Sequence, residues 1–166
     1  MATATEIYGW FKDFLDREEY NYEPDDKNNT IRTGMSLDGK LNVTNIRIVC
    51  DDDHVLVLAY IEPDADEKSR ANVLEYLTRV NHSLRNGGFA MDLNDGEICF
   101  KQYLNCMDRT SLSDDLIGLT IAAPCYMYEY YGDGLLAVMF GMKSPKEAFF
   151  EITEDEYESC SCGCGH

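Results

Sequence analysis

The sequence predicts an α+β domain whose mainly antiparallel sheet carries helices packed upon it, and three observations lead there. Short runs of alternating apolar residues are joined by tight-turn residues, Asp38-Gly39 and Asn94-Asp95-Gly96, and such turns connect antiparallel neighbours. Longer runs with helical spacing precede, separate and follow these strands. Finally, 166 residues with 45% hydrophobic and 11% aromatic content suffice for one ordinary core and require no second.

Ile7, Trp10, Phe11, Phe14 and Leu15 recur at helical spacing, and Thr3 with Glu6 forms a capping box, so residues 4–16 read as an amphipathic helix. Residues 17–29, polar and acidic with Pro24, read as a loop. Thr30 to Leu37 sets Ile31, Thr33, Met35 and Leu37 on one face. Val43 to Cys50 alternates Ile46, Ile48 and Cys50 against Arg47. His54 to Tyr60 is apolar at nearly every position, which predicts a strand covered on both faces.

Pro63-Asp64 opens a second helix with the stripe Val73, Leu77, Val80 and Leu84, and Gly87-Gly88 closes it. Phe89 to Leu93 and Glu97 to Leu104 form a second hairpin. A third helix starts near Ser113, whose first turn holds Asp114 and Asp115 where the helix dipole favours them. It runs toward Tyr131, with a kink expected at Pro124, until Gly132-Asp133-Gly134 interrupts. Ser144-Pro145-Lys146-Glu147 begins a short closing helix. The expected order is α-βββ-α-ββ-α plus that helix. Composition divides the chain into a body, residues 1–151, and an acidic, Cys-rich C-terminal tail, residues 152–166.

Thirty-one acidic against 14 basic side chains give a formal charge of −17. A field of that sign repels phosphate backbones and anionic lipid heads, which disfavours nucleic acid and membrane surfaces and favours a basic or amphipathic protein partner. The start of the chain lacks the basic, then apolar, pattern of a signal peptide, and no apolar run approaches a membrane span. A cytoplasmic protein is therefore expected. Cys50, Cys99, Cys106 and Cys125 lie in apolar segments, where a reduced thiol acts as a small hydrophobe, and the odd total of seven argues against a disulfide framework.

Candidate chemistry is sparse. No phosphate loop, nucleophile elbow or H-E-x-x-H motif occurs, and His54, His82 and His166 sit in unrelated contexts, so no catalytic residues are assigned and a non-enzyme is expected. Asp51-Asp52-Asp53-His54 reads as a solvated turn rather than a hard-cation site. Asp92 to Glu97 fails as a calcium loop because its glycine comes one position early. Cys160, Cys162, Cys164 and His166 offer four soft ligands for Zn or Cu(I), glycines between them permitting a short chain to wrap an ion. The plainer reading is an acidic tail with incidental thiols. No cofactor is otherwise implied.

The block Tyr126, Met127, Tyr128, Tyr130, Tyr131, Met139, Phe140 and Met142 is more aromatic and Met-rich than one helix side needs. Tyr126, Met127, Tyr130, Tyr131, Met139 and Phe140 are the expected partner-binding or dimer surface, Met being the adaptable residue of promiscuous grooves, and the plainer reading of the same block is core packing.

The element order, and the stretch Val80 to Leu104 within it, resembles the YbjN family of bacterial domains. Asn81 ending the second helix, Gly88-Phe89 entering a strand, Asp92 and Gly96 in a hairpin, and Leu112-Ser113 opening the next helix carry the resemblance, which spans roughly residues 3–150. It implies a fold like that of type III secretion chaperones, a label of sensory transduction regulator, and a dimerising, protein-binding domain without catalytic residues. The combined reading is a non-catalytic protein-binding module, chaperone-like or regulatory, acting as a homodimer. The alternative is a metal-binding or thiol-redox accessory protein acting through the C-terminal tail.

Overall fold

The protein is described by a computed structural model covering residues 2–161, with side chains placed through residue 153. Its elements are α1 (Ala4–Arg17), β1 (Tyr22–Asp25), β2 (Thr30–Ser36), β3 (Val43–Cys50), β4 (His54–Tyr60), α2 (Arg70–Ser83), β5 (Gly88–Met91), β6 (Ile98–Asn105), α3 (Asp114–Met139) and α4 (Pro145–Ser161). The strands form one antiparallel sheet in the order β1-β2-β3-β4-β6-β5. This is the α+β class expected, with one strand more than the sequence suggested.

That strand is β1, inside the stretch expected to be a loop. It is polar and contains Pro24, both unusual in a central strand, but β1 lies at the sheet's edge, where a missing N–H costs little.

Inner-face rows fix the register. Ile31, Ile48 and Val57 align across β2, β3 and β4, and Ile46, Ala59, Phe100 and Phe89 align across β3, β4, β6 and β5. All are buried and belong to one core with Ile7, Phe11 and Leu15 of α1, Val73, Tyr76 and Leu77 of α2, and Ile117, Ile121 and Tyr128 of α3. Each of the larger aliphatic and phenylalanine side chains among them contributes about 1.5–3 kcal/mol by leaving water. A one-residue slip would expose the whole set.

The helices cover only this face. β4 buries Val55, Val57 and Ala59 but leaves Leu56, Leu58 and Tyr60 half-buried on the other side, which corrects the expectation of a strand enclosed on both faces. Apolar content alone does not distinguish a second packed layer from a partly apolar open surface.

Helix ends follow local chemistry. At α1, Thr3 Oγ1 accepts from the Glu6 N–H at 3.3 Å, and Glu6 Oε2 accepts from the Thr3 N–H at 2.8 Å, completing the expected capping box. At α3, Ser113 Oγ accepts from the Leu116 N–H, and Arg17 of α1 holds Asp114 through two hydrogen bonds of 2.8 and 2.9 Å. α2 begins at Arg70, not at Pro63-Asp64. The intervening chain is pinned where the Ala65 N–H donates to the Gly96 carbonyl at 2.9 Å, and Asp66 turns it by accepting from the Ser69 N–H at 2.8 Å.

α3 also departs from expectation. It runs unbroken through Pro124 and through Gly132-Asp133-Gly134. Those glycines serve close packing rather than termination: a Cβ on Gly132 would strike the Leu41 side chain, and one on Gly134 would strike the Tyr76 hydroxyl. α4 is longer than the short closing helix expected, and it crosses the 151/152 boundary drawn from composition.

Candidate interaction surfaces

The six residues expected to form a partner or dimer surface are divided by the structure. α3 turns Leu119, Tyr126 and Tyr130 to solvent, at 63%, 57% and 38% of full exposure, and their seven- and four-residue spacings place them on one helix face. Phe140, in the turn after α3, is 64% exposed, while Met127 is half-buried against the core.

Tyr131 and Met139 are each only 8% exposed and belong to the core, a correction to their expected surface role. Tyr131 lies on the α3 side facing α2 and β5: its carbonyl accepts from the Tyr76 hydroxyl at 2.8 Å, and its ring stands edge-on to Phe89 at 6.3 Å. α3 is apolar around most of its circumference, so residue type alone could not separate its faces. Leu119 was missed because it sits within a core-like run; the signal was its place seven residues before Tyr126. Met142 and Phe150, at 63% and 42%, add to the exposed apolar surface at the α3–α4 end.

The second surface is the open face of the sheet. Its rows run Glu23, Arg32, Arg47, Leu58, Lys101 and Gly88; then Gly34, Asn45, Tyr60, Cys99 and Ala90; then Asp25, Thr30, Val49, Leu56 and Tyr103. Half-buried aliphatics thus alternate with cations, in a chain whose charge is otherwise strongly negative. The alternation of β2 and β3 implied these facing directions, but not that no helix would cover them.

The polar turns are occupied by their own hydrogen bonds. Asp52 Oδ1 accepts from the Ala4 N–H at 2.7 Å, steadying the start of α1, and His54 lies between Asp53, 2.6 Å from Nδ1, and Asp51, 3.4 Å from Nε2, stacked on Tyr103. Asp92 Oδ1 accepts from the backbone and side-chain amides of Asn94, and Asp95 from the Glu97 N–H. Among the described residues, no three His, Cys, Asp or Glu side chains converge as a metal site.

Cys50, Cys99, Cys106 and Cys125 are buried free thiols. Burial is the main cause raising all four pKa values, Cys50 to about 12 and Cys125 to about 11. The thiolate is the reactive form, so these groups are poor nucleophiles where they stand. Cys162, Cys164 and His166 lie outside the described residues, as does the side chain of Cys160, whose backbone is in α4. Among the described residues, no helix is long and apolar enough to cross a membrane.

Fold and surface together define an antiparallel α+β domain with helices on one face, an open sheet on the other, and an exposed aromatic stripe on its longest helix. The family model of YbjN, described as "Putative bacterial sensory transduction regulator", matches residues 10–123, and the chain belongs to this family. Among solved structures it is similar to one titled "Crystal structure of YbjN, a putative transcription regulator from E. coli", at 12% identity and a TM-score of 0.50, covering 77% of this chain and 85% of that one. That likeness shows a shared fold. A chain of the "HopA1-SchA Chaperone-Effector Complex" also matches, at 19% identity and a TM-score of 0.45, covering 76% of this chain and 91% of that one. No curated protein matches the chain.

Proposed function

We propose that the chain is a non-catalytic protein-binding module of regulatory or chaperone-like character, cytoplasmic and homodimeric, with the exposed face of α3 at the seam between copies. The observation that carries this is the line of Leu119, Tyr126 and Tyr130, three large side chains exposed on one helix. A helix face meeting its own copy about a two-fold axis buries such a line twice over; the Tyr126 hydroxyl would stay at the wet rim, while that of Tyr130 donates to the Ile152 carbonyl of α4 at 3.4 Å. The family's description as a regulator accords with binding rather than turnover. The bound partner is a basic or amphipathic protein segment, favoured by the charge of −17.

Salt separates the two associations. Two copies of −17 repel, so added salt tightens the homodimer, whereas it weakens attachment of a basic segment. Light scattering coupled to gel filtration, at low and high salt, is expected to show a dimer that gains population with salt. The double variant Leu119→Asp, Tyr126→Asp is expected to be a monomer with unchanged circular dichroism. A wild-type chain that stays monomeric at tens of micromolar in both salts removes the homodimer.

The alternative rests on the residue run at Cys160, Cys162, Cys164 and His166, four soft ligands suited to zinc or Cu(I). Elemental analysis of untagged protein beside a copy ending at Glu158 tests it; equal zinc and copper contents in the two rule it out.

A further inference from the structure

Arg32 of β2 and Arg47 of β3 are cross-strand partners on the open face of the sheet. The Leu37 N–H donates to the Asn42 carbonyl and the Cys50 N–H to that of Asn29. These bonds fix the odd-numbered residues of β2 as its hydrogen-bonded pairs with β3. Arg32 and Arg47 therefore form a non-hydrogen-bonded pair, the kind whose side chains stand closest. Like charges placed opposite one another cost stability. Yet neither guanidinium makes an ion pair or hydrogen bond among the described residues, in a chain carrying 31 carboxylates.

The same parity directs the N–H and C=O of Gly34 away from β3, toward the edge of the sheet. β1 ends at Tyr22, opposite Thr33, so it stops one residue short of covering them. Beside this gap lies an open cleft of about 630 Å³, lined by Tyr22, Arg32, Gly34, Asn45, Arg47 and Tyr60 among others. Gly34 leaves its floor bare: an added Cβ would meet nothing nearer than Asn45 Oδ1 at 3.9 Å. Glu23, opposite Arg32 in register, is the one carboxylate among the lining residues, so the lining carries two guanidiniums and one carboxylate, with Asp25 in electrostatic reach of Arg32 just outside it.

We propose that this cleft is a carboxylate-binding site, with Arg32 and Arg47 as the paired donors, Asn45 and Tyr60 as further polar contacts, and the Tyr60 ring against the ligand's apolar part. A planar carboxylate suits the guanidinium fork, which it engages through two parallel hydrogen bonds. That lining favours at most one negative charge, and the −17 body turns away polyanions. A few polar groups in a partly apolar hollow of this size are typical of organic-ligand sites. The carboxylate comes either from a free small acid or from an acidic side chain of a peptide. The site borders the α3 surface, since Gly34 also lines a neighbouring hollow with Tyr126 and Glu129, so each titration is run at a concentration whose oligomeric state light scattering has fixed for that variant.

The experiment is an NMR titration of the full chain, following the Gly34 amide and the Arg32 and Arg47 Nε–H signals. Its probes are hippurate, the blocked peptide acetyl-Val-Glu-Val-amide, and inorganic phosphate at matched ionic strength. Saturable shifts with hippurate alone assign a small acid; with the peptide alone, a protein segment; with both, a site that reads the carboxylate whatever carries it. Arg32→Gln and Arg47→Gln are each expected to weaken binding about tenfold, the loss of one charge-assisted hydrogen bond. Gly34→Val fills the cleft from a strand position that suits valine and is expected to abolish binding with the fold intact. Arg85→Gln, on an exposed arginine outside the cleft, is expected to change nothing. The proposal is overturned if neither carboxylate gives saturable shifts at millimolar concentration, if phosphate binds as tightly as either, or if binding survives Gly34→Val.

Discussion

The two faces of the sheet are built from the same strands by opposite rules. On the inner face, Ile31, Ile48 and Val57 touch across three strands and are fully buried beneath the helices. One register along, Arg32, Arg47 and Leu58 occupy the equivalent outer row and meet solvent. The inner row is dictated by packing, since any change of volume there is felt by its neighbours. Packing places no such demand on the outer row. A pair of arginines set opposite one another there is a stability cost that folding did not require.

The largest expected effect breaks the inner face. Ile48→Ala should lower unfolding free energy by about 3 kcal/mol, the loss of a buried side chain plus the cavity it leaves. Leu58→Ala, one row outward, should cost less than about 1 kcal/mol because that side chain is only half withdrawn from water. Urea titrations of both variants, read at equal slope, check the pair. Equal losses would mean that the outer face is packed against something, and a second copy would be the first candidate.

A smaller effect separates polar from apolar contributions in the same core. The Tyr76 hydroxyl, buried against α3, donates to the Tyr131 carbonyl at 2.8 Å, and burial raises its pKa. Tyr76→Phe keeps the ring and should cost about 1 kcal/mol, the net value of one neutral hydrogen bond, in the same urea assay. A loss near that of Ile48→Ala would show that this bond, rather than apolar contact, holds α2 to α3.

Most of the inner face was legible in the sequence. The alternation of Ile46, Ile48 and Cys50, the Thr3–Glu6 capping box and the Ser113 cap each turned out as read, because each depends on neighbours within a few positions. Where distant contacts decide, the reading failed. Gly132 and Gly134 looked like breakers but are contact points for Leu41 and Tyr76, remote in sequence. Pro24 looked like a loop residue because nothing local announces the edge of a sheet. On α3, residue type does not separate Tyr126 and Tyr130 from Tyr131 and Met139; Tyr131 is turned inward by Tyr76 of α2 and Phe89 of β5, and Met139 is buried in the same core. The paired arginines across β2 and β3 were invisible for the same reason: they become neighbours only through register.

The thiols offer a third contrast, between Cys50 on the inner face and Cys99 on the outer. Burial pushes Cys50 up to about 12, against 9.0 for a free thiol. A thiol whose pKa is raised by folding stays protonated in the native state while the unfolded chain ionises. Its contribution to stability is therefore complete below about pH 9 and is lost as pH climbs toward 12. Stability measured across that window should fall, and Cys50→Ala should flatten the fall even while lowering the starting value. Cys99 has Tyr60 and Ala90 beside it in register on the open side, with no helix above. At pH 8, alkylation followed by mass spectrometry should mark Cys99 before Cys50, since local fluctuations expose the first and only global unfolding the second. Equal rates would mean that the two faces open as one unit.

The smallest effect is the most informative about the outer face. Arg47→Thr removes one of two opposed cations and supplies a β-branched residue to a central strand, so it should raise stability by a few tenths of a kcal/mol. Thermal unfolding at low salt is the sensitive measurement, because screening already relieves the repulsion when salt is high. A gain that disappears in high salt would show that the arginine pair is held against a purely electrostatic cost. A loss at both salts would show instead that Arg47 packs its stem over Leu58 and Tyr60 as part of the fold, and its presence would then need no ligand to account for it.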